Sequence, residues 1–167
     1  MTEPFEMLEP IDPGAAAFSW AERIDALLEF LPRFEPDGTA AGEWMPVEEG
    51  DDCLTDPAFD LGPELAAFEQ ALYGYGWIAE FDWPDWQDEA TRLVGSPGAL
   101  RTAGVGTLQK LFTSHLRKER FCEGHLAAMF ECGHLAAALR RLKELREVVV
   151  EQTARPSNVK RRRRARD

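Results

Sequence analysis

Between Thr107 and Gln152 apolar side chains recur every three or four residues, a pattern that packed helices satisfy and strands do not. Leu108, Leu111, Phe112 and Leu116 form one stripe. Leu135, Leu139, Leu142, Leu145 and Val149 form another, on a helix expected from about His134 to Gln152. A helix from Phe121 to Cys132 is expected between them, with Gly133 breaking or capping it. Arg117-Lys118-Glu119-Arg120 closes the first of these helices with cations suited to its negative end. Gly124-His-Leu-Ala-Ala128 recurs nine residues later as Gly133-His-Leu-Ala-Ala137. At about 100° per residue the two copies would face opposite ways on one continuous helix, so the chain must bend at Gly133.

The first half is less regular. Residues 1–17, with Pro4, Pro10, Pro13 and Gly14, read as a partly ordered arm. Ser19 and Glu22 make a capping box ahead of Trp20, Ile24, Leu27, Leu28 and Leu31, and Pro32 ends or kinks that helix. Residues 35–62 read as a long acidic loop anchored by Trp44, Met45, Val47 and Leu54. Pro63 suits the first turn of a helix that buries Leu65, Phe68 and Leu72. Trp77, Ala79, Phe81 and Trp83 then alternate with Ile78, Glu80 and Asp82, which allows a short strand. Asp82 or Asp85 can cap a further helix carrying Trp86, Ala90 and Leu93.

Charge is divided along the chain. Residues 1–100 hold 23 acidic side chains against three basic ones, whereas six of the last eight residues are Lys or Arg. That asymmetry bears on partners more than on fold. The acidic N-terminus has neither the basic nor the apolar region of a signal peptide, and no apolar run is long enough for a membrane span. Three cysteines, Cys53, Cys122 and Cys132, suit reduced thiols better than a disulfide framework, so the expected location is the cytoplasm.

Phe81-Asp-Trp-Pro-Asp-Trp86, followed by Arg117-Lys-Glu-Arg-Phe-Cys-Glu-Gly-His-Leu126 and Gly133-His-Leu135 with Leu139 and Leu142, resembles an uncharacterised family of small bacterial and phage proteins. The resemblance runs over roughly residues 20–145 and rests on an Asp-Trp segment ahead of an Arg-x-x-Arg-Phe-x-x-Gly core. It implies a helical fold and no activity.

Several constellations compete with plainer readings. Cys122, His125, Cys132 and His134 have the ligand types and number of a structural zinc site, and His115 could join them in an enzymatic one. Against this, helical phase and the nine-residue echo scatter the four, so no metal site is expected. Arg117 and Arg120 could grip a phosphate or carboxylate. The plainer reading pairs them with acids of the first half such as Asp82 or Asp85, with Phe121 plugging the core and Gly124 letting helices touch. A helix-turn-helix over Gly133 would present His134, Ala136, Ala137 and Ala138, which read no base. Trp77, Trp83 and Trp86 could stack on bases, but the carboxylates of Glu80, Asp82 and Asp85 would repel a phosphate backbone.

The sequence therefore leads to a mostly α chain: a compact bundle of five to six helices over residues 18–153, with the acidic loop, room for one short β pair and a basic tail over 154–167. No cofactor and no catalytic residue is expected. The expected function is that of a non-enzymatic binding or accessory protein whose acidic half engages a basic protein or nucleoprotein, as a nucleic-acid mimic or an inhibitor carried by phage. Asp82, Asp85, Arg117 and Arg120 are its candidate binding residues. Two alternatives stand beside it: weak, non-specific nucleic-acid binding through Lys160, Arg161, Arg162, Arg163 and Arg164, and the zinc or enzymatic reading of Cys122, His125, Cys132 and His134.

Overall fold

The computed structural model describes residues 17–35, 39–46, 57–96 and 98–154. The Ser19 hydroxyl accepts the Glu22 N–H at 3.2 Å, and the Glu22 carboxylate accepts the Ser19 N–H at 2.7 Å, which starts α1 (Trp20–Leu28). The helix stops short of Pro32, which falls instead in the first turn of α2 (Leu31–Phe34), where its missing N–H has no helical partner to lose. Pro63 likewise opens α3 (Pro63–Gly74). There follow α4 (Gln87–Gly95), a 3-10 turn over Ala99–Thr102, α5 (Val105–Glu119), α6 (His125–Glu131) and α7 (His134–Ala154). Setting aside the single turn α2, the described residues form six α-helices.

The helical stripes meet in one core. Ile24, Leu27, Phe68, Leu108, Phe112, Leu135, Leu139 and Leu142 are all essentially inaccessible to solvent. Burying a side chain of this size contributes about 1.5–3 kcal/mol. Aromatic rings tie α2, α3 and α5 together, with Phe68 edge-on to Phe34, Phe30 and Phe112 at centroid distances of 5.2, 5.4 and 5.8 Å. α7 lies along α1, and its arginines reach back to acids of the first half. Arg146 donates two 2.8 Å hydrogen bonds to Asp25, and Arg140 donates one of 3.0 Å to Glu35.

The short β pair lies elsewhere than the alternation at Trp77–Trp83 suggests. β1 (Gly42–Trp44) and β2 (Phe59–Leu61) pair antiparallel, with Gly42 opposite Leu61 and Trp44 opposite Phe59. Both strands come from the stretch read as acidic loop. Trp77–Glu80 forms no strand, and the Thr113 hydroxyl bonds its backbone at the Ala79 N–H and the Trp77 carbonyl. Thr113 accepts the Ala79 N–H at 3.0 Å, the Trp77 indole donates to the Arg23 carbonyl at 3.1 Å, and buried Arg23 donates to the Gly76 carbonyl at 3.1 Å.

Three other local expectations change. Trp44 and Met45 are exposed rather than anchoring, and buried Ala41 holds that end of the strand pair; Val47 and Leu54 lie outside the described residues. Neither Asp82 nor Asp85 caps α4, whose N-terminal flank is Trp86 with no side-chain cap. The helix expected from Phe121 begins only at His125. Gly124 takes the left-handed φ of 82° there, and the Glu119 carboxylate satisfies the freed N–H groups of Gly124 and Leu126 at 2.8 and 2.5 Å. That sharp turn sets residues 120–124 outside the core.

Candidate functional site

The C-terminal end of α5 and the Trp83–Trp86 turn border an open cavity of about 270 Å³. Arg117 and Arg120, one helical turn apart, line it together with Tyr73 from the end of α3, Trp83 and Phe121. Phe121 is 76% exposed, the largest exposure among the big apolar side chains described. The expectation that it plugs the core is therefore overturned. With α5 ended at Glu119 and Gly124 turning the chain, its ring lies against Trp83, 18° from parallel with centroids 6.0 Å apart. Leu126, not Phe121, enters the core from this turn.

The arginines do not pair with Asp82 or Asp85. Arg120 donates to the Tyr73 hydroxyl at 3.2 Å, and Arg117 makes no hydrogen bond or ion pair among the described residues. The acids of the same turn are committed to backbone: Glu119 as above, and Glu123 by accepting the Phe59 N–H at 2.8 Å. Burial, and then repulsion from Glu119, raises the Glu69 carboxyl above its usual range, against the pull of Arg120. Beside the cavity the acidic turn is open. Glu80, Asp82, Asp85 and Asp88 are all exposed, and none forms an ion pair among the described residues.

A second cluster sits behind α5. The bend at Gly133, with φ 78°, turns His134 and His125 toward the same third residue, His115. His115 Nδ1 lies 3.0 Å from His125 Nε2, one donating and the other accepting, and the His115 and His134 rings meet edge-on at 5.2 Å. Burial, and then the neighbouring His134, His125 and Lys118, hold His115 well below the usual histidine range. Burial, Lys118 and His134 lower His125 to about 4, and burial lowers His134. All three rings are thus neutral at pH 7. The Nε2 atoms of His115 and His134 are buried without a partner among the described residues. Cys122 and Cys132 face solvent, away from this cluster. Among the described residues no group of three or more His, Cys, Asp or Glu is placed to hold a metal ion.

Residues 19–148 match the model of a family of unknown function, DUF6508. The chain belongs to that family. The DUF6508 match takes in the arginine cavity, the acidic turn and all three histidines, and it stops short of Lys160–Arg164, which also lie outside the described residues. Nothing among the curated proteins or the solved structures matches the chain. No helix among the described residues is long and apolar enough to cross a membrane.

Of the binding residues inferred from sequence, the fold brings Arg117 and Arg120 into one cavity with Trp83, whose chain neighbours Asp82 and Asp85 flank it. It does not join the cysteines to the histidines. Tyr73 escaped the sequence reading, and Phe121 was named beside the arginines but expected in the core. Tyr73 belongs to a different helix and carries no local signal. Phe121 had one: on a continued helix it would lie about 140° from buried Leu116, well off the apolar stripe.

Proposed function

We propose that this is a non-enzymatic cytoplasmic binding protein whose contact surface for a basic protein partner is the Glu80–Asp88 turn. The observation that carries this reading is the contrast in charge pairing. Asp25 on α1 and Glu35 just after α2 are neutralised by arginines of α7, whereas Glu80, Asp82, Asp85 and Asp88 stand exposed and unpaired among the described residues. Four carboxylates within nine residues create a local field that steers a cationic partner and shuts out a phosphate backbone. Exposed Phe121 and half-buried Trp83 supply an apolar centre beside that charged rim, the anatomy of a protein interface. The bacterial and phage setting implied by the resemblance suits an inhibitor of a protein whose basic surface otherwise meets nucleic acid.

The test is titration of a fluorescent Lys/Arg-rich peptide at low and high salt. Replacing Asp82, Asp85 and Asp88 together with Asn should weaken binding by at least about tenfold at low salt and flatten its salt dependence, with no loss of thermal stability. Equal binding by the parent and the triple variant would remove the acidic turn from the account.

A further inference from the structure

We infer that the cavity bordered by Arg117, Arg120, Tyr73, Trp83 and Phe121 is a binding site for a single anionic group, phosphate or carboxylate, carried on an aromatic ring. This goes beyond the basic-partner reading and does not depend on it.

Charge supplies the first reason. Two guanidiniums one turn apart line a cavity that no carboxylate lines. Arg117 is unpaired among the described residues, and Arg120 hydrogen-bonds only a neutral phenol, with Glu69 acting on it at longer range. In a chain with 30 acidic side chains, two arginines left so are available to a ligand, and their planar forks match phosphate or carboxylate geometry. The negative end of α5 lies close by, but its roughly half unit of charge is outweighed by two full positive charges.

The walls supply the second reason. Phe121 stacks on Trp83 at the cavity edge, and its 76% exposure leaves the rest of its ring open for a flat apolar group to cover. Size gives the third. A dry cavity of about 150 Å³ accommodates benzene, so about 270 Å³ has room for a ring bearing one anionic substituent and little more. The neighbouring unpaired acids Asp82 and Asp85 disfavour polyanions, which restricts the occupant to one small anionic head.

Isothermal titration of the full chain with phenyl phosphate, benzoate and inorganic phosphate tests the site. Phenyl phosphate should bind saturably, and Arg117→Gln, Arg120→Gln and Phe121→Ala should each weaken it by at least about tenfold, one charge-assisted contact or one aromatic face being removed each time. All three side chains are at or near the surface, so thermal melts of the variants should overlay the parent. Comparable binding of benzoate would extend the site to aromatic carboxylates, and its absence would assign it to aryl phosphates. Inorganic phosphate binding as tightly as phenyl phosphate would overturn the aromatic half of the inference. No saturable binding, or binding unchanged in the Arg117→Gln/Arg120→Gln double variant, would overturn the whole. The Asp82/Asp85/Asp88 triple variant should retain phenyl phosphate binding, which keeps failure here separate from failure of the basic-partner reading.

Discussion

Two faces of this molecule handle charge in opposite ways. Where α7 lies along α1 and α2, two of its arginines meet acids from the first half: Arg146 pairs with Asp25 and Arg140 with Glu35. At the end of α5, Arg117 and Arg120 stand beside four exposed carboxylates of the 80–88 turn and pair with none of them. Both faces have the same side-chain types available, so composition does not explain the difference. Packing does. α7 lies along α1, which places long side chains within reach of one another, whereas the Gly124 turn draws the end of α5 back and spends Glu119 and Glu123 on backbone N–H groups. The first face is a closed structural seam, and the second leaves its charges unpaired among the described residues.

Breaking the seam from within should have the largest effect. Leu139→Ala removes a wholly buried side chain of α7 and should cost about 2–5 kcal/mol in urea denaturation, because the rigid helices around it cannot collapse into the space. A variant as stable as the parent would mean that α7 is not part of the common core.

Acid should weaken the join between α5, α6 and α7 next. The three histidines are held neutral by burial, so their folded pKa values lie below the unfolded value of about 6.5. As pH falls through 6.5 the unfolded chain takes up protons that the folded chain refuses. Stability is therefore full above that pH and declines progressively toward about 4, the value for His125. The Asp25 carboxyl, lowered chiefly by its hydrogen bond from Arg146, releases its own contribution only at still lower pH. Denaturation midpoints measured between pH 7.5 and 4.5 check this, and a flat profile would count against the buried neutral cluster.

Smaller effects separate the two faces directly. Asp25→Asn should cost no more than about 1 kcal/mol, the usual range for an exposed ion pair, and should do so less at high salt. Phe121→Ala should shift stability by less than about 0.5 kcal/mol, since its ring is mostly in solvent. Asp85→Asn should leave stability unchanged or raise it slightly at low salt, by relieving repulsion among like charges. If Asp85→Asn destabilised as much as Asp25→Asn, the two faces would not differ in the way described.

Much of the scaffold was legible in the residues alone. Ser19 with Glu22, Pro32, Pro63 and Gly133 act within a few residues of themselves, through caps, missing donors and left-handed backbone, so their consequences can be read without a fold. The apolar stripes of α3, α5 and α7 are periodic over several turns and named most of their buried residues correctly. What failed depended on partners distant in sequence. The alternation at Trp77–Trp83 did not become a strand: the Thr113 hydroxyl took the Ala79 N–H and the Trp77 carbonyl, and the Trp77 indole went to the Arg23 carbonyl, partners far along the chain in opposite directions. Phe121 went to the surface because Glu119 and Gly124 ended one helix and delayed the next. His115 met His125 and His134 because α5 packs against both α6 and α7, on either side of the expected bend at Gly133. Local energetics of a few residues determined where the helices are. Which charges are neutralised and which remain open was decided by the spatial neighbours that only the folded chain brings within a few ångströms.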